Sequence, residues 1–218
     1  MTNEERPQHQ ATARSRTVAT TVLMVATFMD LMDSTITNVA LPTIVKDLHA
    51  TPEQLEWTLA GYVIAFATLL ITGGRLGDIF GHRRIFVIGM VGFTLASLGA
   101  ALSQTGDLLV ATRVIQGAFA GIMVPQVLSS VQVMFAPEER APVLGIIGAL
   151  SSLGAIGGLI LGGWLVTADL LGMGWRSIFL VNVPVGIVLV AAALLFVPRS
   201  RSEHPLRPDL VGVLLGGL

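Results

Sequence analysis

Long apolar runs alternate with short polar segments along the 218-residue chain. A helix needs about 17–25 predominantly apolar residues to cross the hydrocarbon core of a bilayer. Six runs reach that length, and polar or glycine-bearing turns separate them. The pattern predicts an all-α integral membrane protein whose six spans are Val18–Leu41, Leu55–Ile71, Ile85–Ser103, Leu108–Phe135, Val143–Val166 and Ile178–Val197.

Composition agrees with a membrane protein and disfavours other classes. Hydrophobic residues make up 53% of the chain and charged residues 12%, with a mean hydropathy of +0.76. Neither Gly-x-Ser-x-Gly nor His-Glu-x-x-His occurs, and none of the four histidines falls in a predicted span. We therefore expect no enzyme active site, no metal site and no cofactor. No basic face favours nucleic acid, so the expected partner is the lipid bilayer.

The lysines and arginines are distributed unequally between the two sides of the predicted spans. Only Lys46 and Arg176 lie on one side, and Arg113 lies within a span. Cytoplasmic loops of membrane proteins carry the excess of positive charge. We therefore expect a cell (inner) membrane protein with both ends of the chain in the cytoplasm. The cytoplasmic set is Arg6, Arg14, Arg16, Arg75, Arg83, Arg84, Arg140, Arg199, Arg201 and Arg207.

These features divide the chain into three parts. Residues 1–16 are predicted to be a cytoplasmic polar tail, and residues 17–198 a six-helix transmembrane bundle. Residues 199–218 are predicted to be a cytoplasmic linker and the truncated start of a seventh helix, because Asp209–Leu218 is apolar again. We therefore expect a fragment, the N-terminal part of a longer protein whose missing C-terminal bundle would be its partner.

A glycine- and arginine-rich segment, residues 73–84, joins the second and third spans and predicts a tight turn. Its order closely resembles the loop between helices 2 and 3 of major facilitator superfamily transporters. An ordinary positively flanked turn would explain the arginines but not Asp78 between Gly77 and Gly81. The resemblance implies a cytoplasmic gating loop in which Asp78 contacts a helix N-terminus or an arginine. The loop residues are Gly74, Asp78, Gly81, Arg83 and Arg84.

One face of the first predicted helix is polar, with Asp30, Asp33, Ser34, Thr37 and Asn38 at helical spacing. A carboxylate near the bilayer centre costs about 2.5–3.5 kcal/mol, so it should face a cavity or a partner. There it could bind and release protons near neutral pH. The alternative is helix packing held by Ser, Thr and Asn hydrogen bonds, which is the simpler explanation for Ser34 and Thr37.

The fourth predicted helix carries an arginine inside its apolar run. Arg113, Gly117 and Gly121 share one helix face, with Gln116 beside them. An arginine does not release its proton, so its expected work is to keep a nearby carboxylate ionised. Alternatively, its side chain snorkels to the outer surface, because Asp107 and the loop are only about six residues away. The Arg-x-x-Gln-Gly pattern resembles that of the transporter superfamily and favours the first interpretation.

Three further segments resemble fourteen-span drug:proton antiporters, a family within the same superfamily. Asp33 to Pro42 is similar to the family's helix 1 signature, whose acid takes part in proton or cationic-drug handling. Residues 175–179 and 182–186 are similar to its helix 5–6 junction. A glycine strip in the fifth helix resembles the exporters' antiporter motif, although Leu159 stands where proline is expected. The strip residues are Gly154, Gly158, Gly162 and Gly163.

A short internal repeat supports two inverted repeats of three helices each. The first copy is Gly73-Gly74-Arg75-Leu76 followed by Arg84-Ile85-Phe86. The second copy is Gly162-Gly163-Trp164-Leu165 followed by Arg176-Ser177-Ile178-Phe179. The resemblance then implies half of a proton-coupled multidrug efflux transporter that works by alternating access. Its energy source would be the proton gradient and its substrates small amphiphilic or cationic compounds. Alternatives are a metabolite exporter or importer of the superfamily, or a non-transporting remnant. Proton coupling is assigned to Asp33 and Arg113, and the substrate cavity to Asp30, Thr37, Asn38 and Gln116.

Overall fold

The computed structural model describes residues 5–169 and 172–199. These residues form helices joined by short connections, with no β-strand among them. The helices are α1 (Glu5–Leu48), α2 (Pro52–Phe80), α3 (His82–Ala101), α4 (Gly106–Met134), α5 (Pro137–Ala168), α6 (Ser177–Leu180) and α7 (Asn182–Phe196).

Six helical stretches of the described chain are long and apolar enough to cross a membrane. The first five lie in α1 to α5, and the sixth, Gly174–Phe196, combines a 3₁₀ turn with α6 and α7. Val181, between α6 and α7, keeps helical dihedral angles (φ −59°, ψ −29°). The prediction of an all-α bundle with six spans is confirmed.

The helices extend beyond the apolar runs that predicted them. Helix α1 begins at Glu5, within the residues assigned to a polar tail. Helix α2 begins at a capping box, in which Thr51 Oγ1 accepts from Gln54 N (3.3 Å) and Gln54 Oε1 accepts from Thr51 N (3.0 Å). Apart from Arg199, the predicted linker and seventh helix lie outside the described residues.

The connection between α2 and α3 is much shorter than the predicted turn. Residues 73–80 continue α2, and the chain reverses at Gly81 alone, whose φ is +98°. Such a φ favours glycine because a Cβ atom would be strained there. Gly73 serves a different purpose: a Cβ atom on it would lie 2.6 Å from Gly121 O, so its small size lets α2 approach α4.

Helix pairing in the bundle has an approximate internal symmetry. Helix α1 packs mainly on α5, α2 packs mainly on α4, and α3 packs on α4 and α7. In two repeats of three helices, α1 corresponds to α4, α2 to α5, and α3 to the sixth span. The contact between α1 and α5 then corresponds to the contact between α4 and α2. The α3–α7 pair stays as it is. Inverted 3+3 repeats produce this pattern of contacts.

Glycines bring both major pairs into close contact. On α5, Gly154, Gly158 and Gly162 are buried against α1, where a Cβ atom at Gly162 would lie 2.7 Å from Ile36 Cγ1. Gly163 faces open space, with no atom within 4 Å of such a Cβ. On α4, Gly117 lies against the Tyr62 backbone of α2. Small residues allow helix backbones to approach in membranes, where no hydrophobic force drives them together.

Charged side chains join the helices at both ends of the bundle. Arg16 on α1 donates to both carboxylate oxygens of Glu139 on α5 (3.2 and 3.3 Å). At the opposite end, Arg176 pairs with Asp47 and also donates to Ser103 O (3.1 Å). These contacts hold the ends of distant segments together. The side of the membrane on which each end lies stays a prediction.

Candidate functional site

Three side chains converge on the carboxylate of Asp33 in the interior of the bundle. Arg113 Nη1 donates to Asp33 Oδ2 (2.5 Å), and Gln116 Nε2 donates to Oδ1 (3.0 Å). Asn182 Nδ2 also donates to Oδ1 (2.6 Å). Asp33 is fully buried. Both oxygens of the carboxylate therefore accept hydrogen bonds, from three donors in all.

Arg113 is held in place by contacts on several sides. Its Nη1 also donates to Gln116 Oε1 (2.7 Å), and its Nε donates to Thr58 O (3.5 Å). The guanidinium carbon lies 4.2 Å from the centre of the Tyr62 ring and 5.6 Å from that of Phe179. The side chain is 1% exposed, so it does not snorkel to the surface. Its charge is therefore balanced inside the protein, by Asp33 and by aromatic faces.

Sequence reasoning did not assign Asn182 to the site. This residue begins α7, is fully buried, and donates to Ser97 Oγ (3.0 Å) as well as to Asp33. Ser97 in turn donates to Phe179 O (2.9 Å). An asparagine within a predicted apolar span was an available signal, because a buried amide needs partners. In the sequence, Asn182 belongs to the segment 182–186 that resembles the helix 5–6 junction of the antiporters.

Asp30 belongs to a second polar contact one turn before Asp33. The hydroxyl of Tyr62 donates to Asp30 Oδ1 (2.5 Å), and both side chains are buried. Because the Tyr62 ring also covers Arg113, Asp30 is connected to Asp33 through Tyr62 and Arg113. Sequence reasoning did not single out Tyr62.

A cavity of about 630 Å³ opens beside this cluster, between α1, α2 and α4. Its polar lining includes Ser34, Asn38, Glu56, Tyr62 and Arg113. Glu56 is a cavity residue that the sequence analysis did not propose. Its signal was that it is the one charge within the second apolar run.

The residues assigned to a substrate cavity occupy different environments. Asn38 lines the cavity and donates to Ser34 O (3.1 Å). Thr37 is fully buried and donates to Asp33 O (2.9 Å), while Gln116 is buried in the Asp33 cluster. Asp30 reaches the cavity only through Tyr62. Direct substrate contact by these four residues stays a prediction.

The proposed gating loop forms a separate polar network at the α2–α3 junction. Asp78 lies 3.6 Å from Nε2 of His82, the first residue of α3, and no contact with Arg83 or Arg84 is found in the described structure. His82 Nδ1 lies 3.0 Å from Gln126 Oε1, and Gln126 Nε2 donates to Gly73 O (2.7 Å). Asp78 is therefore connected to α4 through two buried side chains.

Other members of the loop have distinct positions. Arg83 Nη1 donates to Leu194 O (3.2 Å) and Val197 O (3.3 Å), which satisfies carbonyl groups at the end of α7. Arg84 is exposed, and Gly74 lies near Pro125 of α4. The loop residues thus contact both α4 and α7.

The Asp33 cluster can respond chemically to a proton. An added proton would neutralise the carboxylate and turn one of its acceptor oxygens into a donor. That oxygen would then face Arg113, Gln116 or Asn182, which also donate. Breaking a buried ion pair leaves an uncompensated charge, which costs about 3–5 kcal/mol.

No group of three or more residues suited to hold a metal ion occurs in the described chain.

Comparison with known proteins identifies the family of this bundle. The family model for the major facilitator superfamily matches residues 23–213. The chain belongs to the major facilitator superfamily. It is 44% identical over 202 residues to the "Probable actinorhodin transporter" of Streptomyces coelicolor, covering 92% of this chain and 35% of that protein. It is 38% identical over 199 residues to the "Tetracenomycin C resistance and export protein" of Streptomyces glaucescens, covering 91% and 35%.

A solved structure of the superfamily has the same fold. A bacterial homologue of the human lysosomal transporter Spinster, in an inward-facing and occupied conformation, superimposes with a TM-score of 0.70 at 19% identity. The match covers 86% of this chain and 46% of that one. The chain spans about a third of the length of these two relatives from Streptomyces, 35% in each case. The multi-pass bundle described above is thus a part of the transporter architecture.

Proposed function

We propose that this chain is the N-terminal bundle of a proton-coupled exporter of small amphiphilic or cationic compounds, including antibiotics. The observation that carries the proposal is the buried ion pair between Asp33 and Arg113, with Gln116 and Asn182 completing the cluster. Relatives whose names describe export and resistance support the direction of transport. The protein would use the proton gradient and no cofactor.

The proton step follows from the position of the cluster. Asp33 lies on α1 and Arg113 on α4, and these two helices approach each other only sparsely elsewhere. Proton binding would remove the charge that attaches α1 to α4 and would leave Arg113 without its counterion. Glu56 lines the same cavity as Arg113 and offers a second carboxylate on that side. Proton uptake would therefore rearrange the walls of the cavity.

Alternating access would couple this rearrangement to transport. The bundle would rock against a C-terminal bundle of the same protein, around a cavity near the midplane of the membrane. Glu56 and the carbonyl and hydroxyl groups of the lining would attract cationic groups of a substrate, and Leu59 and Val63 would contact its apolar parts. The Asp78–His82–Gln126 network would hold the cytoplasmic end closed in one state.

The test measures transport of labelled substrate into inverted membrane vesicles that contain the protein at its native length, with and without a proton gradient. We expect Asp33→Asn to abolish transport driven by the proton gradient while exchange of labelled substrate continues without a gradient. Asp107→Asn is the matched control, since that carboxylate sits at the first turn of α4 and contacts Gln54. Gradient-driven transport by Asp33→Asn at the control rate would refute the role of Asp33.

A further inference from the structure

Three arginines line a second cavity, of about 370 Å³, at the end of the bundle where α1 enters the membrane. They are Arg16 on α1, Arg83 on α3 and Arg199 just after α7. Arg84 and Arg199 are close enough to Arg83 to interact with it electrostatically. The cavity therefore concentrates positive charge at one edge of the apolar bundle.

Among the described residues, this charge is balanced incompletely. Arg83 Nη1 donates to two neutral backbone carbonyl groups. Glu139 pairs with Arg16 at 3.2 Å, but both side chains are nearly half exposed, so solvent weakens their attraction. Within the described chain, no other carboxylate contacts an arginine of this cavity. An anionic ligand would complement it.

An apolar groove of about 510 Å³ lies along the seam between α1 and α7. On α1 its lining begins at Val18, two residues after Arg16, and reaches Val25. On antiparallel α7 it runs from Ala192, three residues before the cavity residue Leu195, back to Pro184. At 1.5 Å per residue, the groove is roughly 10 Å long. Its lining is almost entirely apolar, and on both helices its first residues lie two or three positions from residues of the arginine-lined cavity.

We propose that the cavity and the groove together bind one anionic phospholipid of the adjacent leaflet. Its phosphate would lie among Arg16, Arg83 and Arg199, because guanidinium groups bind phosphate oxygens in pairs. One acyl chain would follow the groove between α1 and α7. The acyl chain leaves one apolar environment for another and contributes little to selectivity. The arginines therefore decide which lipid headgroup binds.

The first experiment measures lipid binding by native mass spectrometry. The native-length protein is titrated with phosphatidylglycerol or with phosphatidylcholine of identical acyl chains. We expect preferential binding of phosphatidylglycerol, and a loss of about fivefold in its affinity for each of Arg199→Gln and Arg16→Gln. Arg140→Gln is the matched control, because this arginine lies at the same end, bonds to Gln132 O and Phe135 O, and does not line the cavity.

Equal affinities for the two lipids, or an equal loss in the Arg140→Gln control, would overturn the headgroup site. Retained selectivity in the Arg199→Gln and Arg16→Gln double variant would overturn it as well. Arg83 is left intact because it also bonds to the end of α7.

A second pair of variants tests the groove. Val188 lines it and is 65% exposed, so Val188→Trp would fill the groove without entering the core. Ile187→Trp is the control, since Ile187 is 61% exposed but lines a different groove, between α3 and α7. We expect at least a threefold weaker binding of phosphatidylglycerol by Val188→Trp alone. Equal effects of both variants, or competition by glycerol phosphate at the affinity of the lipid, would refute acyl-chain binding in this groove.

Discussion

Asp33 and Asn182 show how single residues specify the centre of the bundle. The carboxylate of Asp33 has about four acceptor positions, and three are used by donors from α4 and α7. Asn182 contributes one of these donors and shares its amide with Ser97 on α3. It therefore joins α1, α3 and α7 at one point. Its amide oxygen is buried without a partner in the described structure, so its contribution comes from the NH₂ group.

Replacing Asn182 should destabilise the bundle through Asp33. We expect Asn182→Leu to lower the free energy of unfolding by about 1.5–3 kcal/mol, because a buried charged group loses a donor. Denaturant titration in detergent micelles measures the change. Asn38→Leu is the matched control, since Asn38 is exposed and bonds only to Ser34 O within α1. We expect that control to change stability by less than about 0.5 kcal/mol. Equal losses in the two variants would contradict the assigned role of Asn182.

At the scale of elements, glycine positions decide which helix faces meet. The four glycines of the α5 strip look equivalent in sequence, but three face α1 and Gly163 faces open space. In α2, glycines that were predicted to form a turn instead lie within the helix. Residues 73–80 continue α2, and the helix ends at Gly81. Glycine supports close packing and chain reversal alike, and local sequence does not distinguish these uses.

Alanine substitutions in α5 should therefore have opposite signs. At Gly158, a Cβ atom would overlap Thr35 Oγ1 and lie 2.7 Å from Met32 O, so Gly158→Ala should cost about 1–3 kcal/mol. At Gly163 the new methyl group meets nothing, and Gly163→Ala should gain roughly 0.5–1 kcal/mol from helix propensity. Unfolding of the two purified variants under identical conditions measures both changes. Destabilisation by Gly163→Ala equal to that of Gly158→Ala would contradict this assignment of faces.

At the scale of the whole molecule, two sets of helices meet across the polar centre. Helices α2, α3 and α4 pack closely together, and α1 packs with α5, while α1 and α4 are joined mainly by the Asp33 cluster. Helix α7 packs on both α1 and α3, so it joins the two sets beside the buried ion pair. Large apolar side chains cover much of the outer surface, as a bilayer requires.

Membrane orientation can be tested directly because the chain has no cysteine. Glu138 and Glu53 are exposed at opposite ends of the bundle, in the first turns of α5 and α2. We expect a membrane-impermeant maleimide to label Glu53→Cys in intact cells and to label Glu138→Cys only after permeabilisation. The distribution of arginines predicts this result, because positive segments remain in the cytoplasm. The reverse labelling pattern would overturn the assigned orientation.

The sequence by itself determined the class, the number of spans and the two principal charges of the centre. Apolar runs of this length cross a membrane as helices, because unpaired backbone groups are costly in lipid. An acid and an arginine within such runs indicate a buried pair, since each is costly alone. Asp33 and Arg113 could therefore be predicted to need partners.

Tertiary structure alone decided which partners they have and what surrounds them. Asp33 and Asn182 are 149 residues apart in the chain, so no local pattern relates them. Tyr62 and Glu56 reach the site from α2, whose backbone lies close to glycines of α4. Asp78 contacts His82 because α2 continues to Phe80 and places both side chains at the single break. Hydropathy and charge act along the chain, whereas these contacts depend on the direction and spacing of packed helices.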